Sequence, residues 1–105
     1  MPQFDVFRNK DPGSRAAFPF LLDVQSDLLT DLATRVVIPL CLASAMKGKS
    51  LGKLTPTLVV EGKSVVALTT QLAGIAVKQL GPKCVNLESR RAEIVAALDF
   101  LITGI

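Results

Sequence analysis

Two Gly-Lys-Ser tripeptides are the first features of this chain that suggest chemistry. Gly48-Lys49-Ser50 and Gly62-Lys63-Ser64 match the end of a phosphate-binding loop. That loop also needs a glycine five positions earlier, so that its backbone amides can surround a phosphate. Ala43 and Thr57 stand at those positions, and neither tripeptide precedes a helical pattern. We therefore expect both to be turn or loop sequences that bind no nucleotide.

A possible carboxylate pair, Asp23 and Asp27, lies in the segment Asp23-Val24-Gln25-Ser26-Asp27. The chain has no histidine, so a hydroxyl nucleophile would have only lysine or a carboxylate as its base. At the end of a strand, aspartates more often accept hydrogen bonds from backbone amides than transfer protons. The two cysteines, Cys41 and Cys84, lack metal-ligand spacing and are expected to be small buried apolar residues. We predict no metal, no cofactor and no catalytic residue.

Size and composition indicate one domain, residues 1–105, that buries apolar surface against another copy. Half of the residues are hydrophobic and the mean hydropathy is +0.45. The longest uncharged stretches, Val36 to Met46 and Val65 to Val77, are shorter than the roughly 18 apolar residues that cross a bilayer. Charges in MPQFDVFRNK stand where a signal peptide needs apolar residues. We expect a cytoplasmic protein without a membrane segment.

The charge is moderately basic and unevenly distributed. Twelve Lys and Arg against nine Asp and Glu give a net charge of +3, which favours acidic partners but is low for a nucleic-acid-binding protein. No acidic residue occurs between Asp31 and Glu61. That stretch contains Arg35, Lys47, Lys49 and Lys53. The pattern allows either solvated loop lysines or a docking surface for an acidic protein.

Most of the chain has the pattern of short strands. Alternating residues predict a strand over Gln3 to Arg8, and an apolar run predicts another over Phe18 to Val24. Val36 to Leu40 is typical of a buried strand, although Pro39 indicates an edge or a bulge. Leu58 to Val66 has the pattern of a hairpin around Gly62. Further predictions are a short strand over Ile75 to Leu80 and turns at Gly74, Gly81 and Pro82.

The last part of the chain changes to a helical period. One predicted helix face carries Leu87, Ile94, Leu98, Leu101 and Ile105, with Arg90, Arg91 and Glu93 facing solvent. Asn86 and Ser89 are the candidate N-caps. The apolar pattern continues to the end of the printed sequence in DFLITGI. We expect Leu98 and Leu101 to pack inward, while Thr103 to Ile105 either contact a partner or close the core.

Four segments in order resemble the CcdB toxin family. They are Asp23-Val24-Gln25-Ser26-Asp27, Arg35-Val36-Val37-Ile38-Pro39-Leu40, Thr69-Thr70 and Gly104-Ile105. The resemblance extends over nearly the whole chain. It implies a mainly β fold, an SH3-like β-barrel of the CcdB/MazF type with a small additional antiparallel sheet and one C-terminal α-helix. It also implies a symmetric homodimer.

The resemblance implies a binding activity and no enzymatic one. Members of this family are toxins of type II toxin-antitoxin systems, which serve plasmid maintenance. They bind the A subunit of DNA gyrase and trap the complex in which the DNA is cut. An acidic CcdA-like antitoxin removes them. Sequence-specific contact of the toxin alone with nucleic acid is not expected.

The resemblance also assigns residues to the two partners. The gyrase-binding positions are Gln3, Phe4, Phe7, Ser26, Leu28, Leu29, Asp99, Thr103, Gly104 and Ile105. Three of them differ from the best-known family member: Phe7, Asp99 and Thr103 replace Tyr, Asn and Trp. Charge steering predicts that the acidic antitoxin approaches Arg8, Lys10, Arg15, Lys47, Lys49 and Lys53.

Two alternative functions remain at this point. The barrel is shared with MazF-type endoribonuclease toxins. If this chain were such a ribonuclease, Arg35, Asp23 or Asp27 and a threonine would be its catalytic residues. The third possibility is a CcdB-like interaction module that has lost its toxicity. Cleavage of a ribosome-free messenger would identify the ribonuclease, and normal growth on expression would identify the module.

Overall fold

The computed structural model describes residues 2–29, 31–46 and 52–104, and most of its regular elements are strands. Lys47, Lys49 and Ile105, and the first tripeptide at 48–50, lie outside the described residues. The elements are β1 (Asp5–Asn9), β2 (Phe20–Asp23), β3 (Thr34–Leu42), α1 (Ala43–Met46), β4 (Thr57–Val60), β5 (Lys63–Ala67), β6 (Ala73–Ala76), β7 (Leu80–Asn86) and α2 (Arg91–Thr103). No described helix is long and apolar enough to cross a membrane.

The seven described strands form one antiparallel sheet that curls into a half-barrel. The main strand order is β4-β5-β3-β2-β1-β7, and β6 pairs with the first half of β3 outside that order. The prediction of a mainly β, barrel-like fold with a C-terminal helix is confirmed. The resemblance also implied a small additional antiparallel sheet. In the described part of the chain, the extra strand β6 is a branch of the same sheet and pairs only with β3.

The central strands bury side chains on both faces, which explains the poor alternation of the first strand. Val6 and Leu22 belong to the larger core cluster, under the hairpin and α2. Their neighbours Phe7 and Leu21 belong to a second cluster together with Val37 and Leu80. Successive strand residues point to opposite faces, so a strand covered on both sides needs no polar face.

The predicted hairpin is confirmed, and its turn chemistry accounts for it. β4 and β5 pair from Thr57↔Val66 to Val60↔Lys63, which leaves Glu61 and Gly62 as a two-residue turn. Their φ angles are +52° and +77°. Turns with positive φ at both positions match the twist of the flanking strands. Gly62-Lys63-Ser64 is therefore part of a hairpin and not of a phosphate-binding loop.

The prediction for Pro39 was wrong, because this residue lies inside a central strand. β3 pairs with β2 through Pro39↔Leu21 on one side. On the other side it pairs with β6 through Val37 and with β5 from Leu40 onward. The Pro39 carbonyl accepts a hydrogen bond from the Leu68 N–H, so the missing proline N–H falls at the gap between β6 and β5.

The predicted turn at Gly81 and Pro82 was also wrong, since both lie in β7. This strand pairs only with β1 among the described strands and forms an edge of the sheet, where a proline removes no ladder bond. A Cβ at Gly81 would lie 2.6 Å from the Arg8 carbonyl oxygen. Glycine here permits the close approach of β7 to β1 at a register shift.

The helix is confirmed, and its cap differs from the prediction. Ile94 and Ala97 of α2 are buried, and Leu98 packs on the larger core cluster. Neither Asn86 nor Ser89 caps α2, because a 3₁₀ turn over Glu88–Arg90 precedes it. The Asn86 Oδ1 atom accepts a hydrogen bond of 2.8 Å from the Glu88 N–H, the first amide of this turn, although Leu87 is the cap residue.

Candidate functional site

The end of α2 presents an apolar surface to solvent. Ile102 is 75% exposed, and Phe100 and Leu101 are also exposed, so the expected inward packing of Leu101 is wrong for the single chain. Leu101 lies one turn beyond the part of α2 that contacts the core. Large exposed apolar side chains that lie close together are typical of a protein-binding surface.

The helix ends in a geometry that a glycine favours. Gly104 has φ +75° and its N–H donates a hydrogen bond of 2.9 Å to the Phe100 carbonyl. The Thr103 hydroxyl donates to the Asp99 carbonyl at 2.6 Å on the exposed end of the helix. A Cβ on Gly104 would meet no atom of the described chain within 4 Å. The tail is therefore accessible up to the last described residue.

A second apolar surface lies on the 3₁₀ turn Asp27–Leu29. Leu28 is 93% exposed, and Leu29 and Leu32 are each half exposed. The Ser26 hydroxyl accepts from the Leu28 N–H at 3.2 Å, and the Ser26 carbonyl accepts from the Leu29 N–H at 3.0 Å. Sequence reasoning missed Leu32, although a third leucine four positions after Leu28 was a signal for it.

A buried ion pair is connected to this turn through Gln25. The Arg35 Nε donates to Asp23 Oδ2 at 2.8 Å, and the two side chains are 1% and 0% exposed. Burial raises the pKa of the Asp23 carboxyl, while its hydrogen bond to Arg35 opposes that change. Asp23 also accepts from the Gln25 N–H at 3.0 Å, as expected for a strand-end aspartate. Neither charged side chain is accessible to a substrate, which disfavours their use by a ribonuclease.

Gln3 joins the turn to the start of α2. Its backbone N–H donates to Asp27 Oδ1 at 2.6 Å, and its side-chain amide donates to the Val24 carbonyl at 3.0 Å. Its side-chain oxygen accepts from Arg91 at 3.4 Å. Asp27 thus caps a backbone amide, as predicted. The structure therefore brings Gln3, Ser26 and the exposed leucines of the turn together.

The aromatic residues among the predicted gyrase contacts lie inside the protein. Phe4 is 1% exposed in the larger core cluster, and Phe7 is buried in the second cluster. Phe4 has φ +73°, held by hydrogen bonds of its backbone to Asp23 and Leu87. Neither ring is available for direct contact in this structure, because each is buried in a core cluster on one face of the sheet.

A comparison with protein families identifies the family to which this chain belongs. The family model described as CcdB protein matches residues 3–104. The chain belongs to the CcdB family. CcdB proteins are the toxins of ccd-type toxin-antitoxin pairs.

The predicted CcdB gyrase positions form two separate groups in one chain. Gln3, Ser26, Leu28 and Leu29 lie near the start of α2, whereas Asp99, Thr103 and Gly104 lie at its end. Gln3 contacts Arg91 in the first turn of α2, and the 13 residues of the helix span roughly 18 Å from there to its end. One chain therefore has two exposed apolar surfaces instead of a continuous one.

The described basic residues of this CcdB chain are also distributed over two regions. Lys10 and Arg15 are exposed on the loop after β1. Arg8 pairs with Glu61 at 2.7 Å and lies 5.6 Å from the centre of the Phe20 ring. Lys53 lies 5.7 Å from the centre of the Phe100 ring, near the end of α2. The predicted antitoxin residues thus extend across several elements.

A groove of about 360 Å³ separates Lys53 from the first turns of α2. Its walls are Gly52, Lys53 and Pro56 on one side and Ala92, Glu93 and Ala96 on the other. Arg90 bonds to the Thr57 carbonyl at 3.1 Å and forms an ion pair with the groove residue Glu93 at 2.6 Å. Hydrogen bonding to Arg90 lowers the pKa of Glu93, so this carboxyl stays ionised near neutral pH.

The thiols of this CcdB chain carry no sign of reactivity. Cys41 is buried, as predicted, and Cys84 is half-buried, so the burial prediction holds fully only for Cys41. Both are free, and burial raises the pKa of each thiol. Residues 2–29, 31–46 and 52–104 contain no cluster of three or more potential metal ligands.

Proposed function

We propose that this chain is a toxin that binds the A subunit of DNA gyrase and traps the complex in which both DNA strands are cut. Membership of the CcdB family supports this assignment. The observation that carries it is the exposure of Leu28 and Leu29 on the 3₁₀ turn Asp27–Leu29. Side chains of this size gain binding free energy when a partner covers them. The activity is inhibitory binding and needs neither a catalytic residue nor a cofactor.

The proposed gyrase surface combines the two apolar groups. Leu28, Leu29, Thr103, Gly104 and Ile105 would touch gyrase, while Gln3, Ser26 and Asp99 would add polar contacts at the margin. Phe4 and Phe7 would act from the core by supporting β1. With threonine at position 103, the family tryptophan is missing from the centre of this surface, where a large ring is often worth about 2 kcal/mol or more. We therefore expect weaker poisoning than in relatives that keep the ring.

A symmetric homodimer would bring the separate groups of two chains together. Phe100, Leu101 and Ile102 expose an apolar surface at the end of α2, which two copies would bury against each other in an isologous interface. Two tails beside the dimer axis would then face one pair of gyrase subunits. We expect sedimentation at micromolar concentration to give the mass of two chains. A monomer under those conditions would contradict this assembly.

The proposed antitoxin is an acidic protein of the CcdA type. Lys10 and Arg15 carry exposed charges on one loop, and Arg8 lies at the base of that loop. Lys53 adds charge near the α2 groove, and Lys47 and Lys49 are its sequence neighbours. Positive charge on these elements would accelerate the approach of an acidic chain. Expression together with such an antitoxin should restore growth.

The direct test uses purified protein, gyrase and supercoiled plasmid. We expect the chain to bind the A subunit of gyrase and to convert plasmid to a linear product when denaturant is added to the gyrase reaction. Leu28→Glu should abolish both effects, because it buries a charge at the contact. Val59→Glu is the matched control, since Val59 is half exposed on the edge strand β4. Binding without linear plasmid would support the non-toxic module instead.

A further inference from the structure

Gln25 connects the exposed turn to the sheet through buried hydrogen bonds. It is 6% exposed and follows Asp23 by two residues, between β2 and the turn. Its side-chain Nε2 donates to the Leu29 carbonyl at 2.8 Å. Its Oε1 accepts from the Val36 N–H at 3.1 Å. One side chain thus links the end of the turn to the central strand β3.

The backbone of Gln25 is itself fixed by the buried ion pair. Its N–H donates to Asp23 Oδ1 at 3.0 Å, and its carbonyl accepts from Arg35 Nη2 at 3.4 Å. Asp23 and Arg35 stand on adjacent strands, so the position of Gln25 follows the sheet. A buried amide with both ends bonded has little freedom, because releasing either end leaves an unpaired polar group.

Apart from Gln25, the turn is held by hydrogen bonds and not by packing of its leucine side chains in the core. The leucine side chains of the turn, Leu28 and Leu29, are exposed and absent from both core clusters. Local bonds to Ser26 shape the turn, and Gln3 holds Asp27. The Leu29 carbonyl accepts from the Leu32 N–H at 3.4 Å and from Gln25 Nε2 at 2.8 Å, and of these two donors Gln25 is the one that is also bonded to β3. The buried side chain of Gln25 therefore links the carbonyl of Leu29, whose own side chain is exposed, to Val36 of β3.

We propose that Gln25 is a positioning residue, which holds the Asp27–Leu29 turn in the conformation that presents Leu28 and Leu29 to the protein partner. This inference rests on the proposed gyrase binding for the identity of the partner. The part of the inference that concerns how Gln25 holds the turn does not depend on which protein the partner is. Gln25 acts through the turn and makes no contact with gyrase.

The test compares Gln25→Met with a core variant of similar effect on folding. Methionine keeps the length of the side chain and removes both hydrogen bonds. Val65→Ala is the control, because Val65 is fully buried on β5, away from the turn. We measure affinity for the A subunit of gyrase at a temperature where urea curves show every variant to be folded. Gln25→Met should weaken binding roughly tenfold, about the loss of one or two typical hydrogen bonds, and Val65→Ala should leave it unchanged.

A double-mutant cycle separates positioning from a general loss of stability. In the background Leu28→Ala with Leu29→Ala, Gln25→Met should cause less than about a twofold further loss, since there is no leucine left to position. Equal losses in both backgrounds, or binding by Gln25→Met that matches the parent, would overturn the proposal. If Gln25→Met does not fold, Gln25→Asn serves in its place, because the amide stays neutral while the shorter side chain cannot bond both the Val36 N–H and the Leu29 carbonyl.

Hydrogen exchange distinguishes failure of this inference from failure of the proposed function. Gln25→Met should increase exchange of the Leu28 and Leu29 amides, and Val65→Ala should not. A parent chain that does not bind gyrase would refute the gyrase function, while faster exchange would still support the holding of the turn. Unchanged exchange at both amides would overturn the inference whatever the binding result.

Discussion

Asp23 and Arg35 form an ion pair that is completely buried, with 2.8 Å between Arg35 Nε and Asp23 Oδ2. The pair joins β2 to β3, and both of its members are bonded to the backbone of Gln25, whose side chain is bonded to the exposed turn. Removing two charges from water costs free energy, which their mutual attraction and their further hydrogen bonds offset. The relationship therefore makes the region around the turn sensitive to substitution at either residue.

Breaking this pair should destabilise the fold strongly. Arg35→Met leaves the Asp23 carboxylate buried without its cationic partner, which should lower the free energy of unfolding by about 3 to 5 kcal/mol. Arg8→Met is the control, since it breaks an exposed pair with Glu61 that is worth at most about 1 kcal/mol. Urea denaturation measures both. Equal small losses would contradict the importance of the buried pair.

The fold should survive removal of the tail. A chain that ends at Ile102 loses the exposed residues Thr103 and Gly104 with their cap bonds, so its melting temperature should fall by only a few degrees. Antitoxin binding should persist, whereas toxicity and binding to the A subunit of gyrase should disappear. Calorimetry and a binding assay on the same preparation test this. Unfolding of the shortened chain would show that the tail belongs to the core.

Two glycines with the same backbone geometry provide a matched comparison. Gly104 and Gly62 have φ of +75° and +77°, and a Cβ on either would meet no described atom within 4 Å. Changing each to alanine should cost up to about 1 kcal/mol of folding stability through backbone strain. Only Gly104→Ala should weaken gyrase binding, because the added methyl group would meet the partner. Equal affinities of the two variants would place Gly104 outside the interface.

Restoring the aromatic ring of the family should strengthen poisoning. Thr103→Trp places a large ring on the exposed end of α2 and should tighten gyrase binding by about 1 to 2 kcal/mol. Thr57→Trp is a control, because Thr57 is also exposed but lies on β4. Calorimetric titration against the A subunit of gyrase measures the change. A ring that tightens binding equally from both positions would indicate nonspecific adhesion.

Charge reversal of the lysine-rich segment should slow capture by the antitoxin. Changing Lys47, Lys49 and Lys53 to glutamate should reduce the association rate on the order of tenfold at low salt and flatten its dependence on salt. The same three lysines changed to arginine keep the charge and should leave the rate unchanged. Stopped-flow mixing at several salt concentrations tests this. An unaltered rate in the glutamate variant would move the antitoxin site elsewhere.

Local patterns were sufficient for several elements of this protein. The two β-rich runs around Glu61 and Gly62 predicted the hairpin, because its turn is set by the residues within it. The 3.6-residue period from Leu87 predicted α2, although not the 3₁₀ turn before it. The motif segments indicated the family from their residues alone, and the match over residues 3–104 confirmed it.

Features that depend on distant neighbours were decided by the tertiary structure. Gly81 and Pro82 are typical of a turn in sequence, but in the structure they lie in the edge strand β7, which pairs with β1. The family resemblance assigned Phe7 to the gyrase surface, but in the structure the second cluster covers it. Gln25 looks like part of a polar break, yet it is bonded to both Leu29 and Val36. Periodicity and turn chemistry act over a few residues, so sequence determines them, whereas burial and pairing depend on which strands meet.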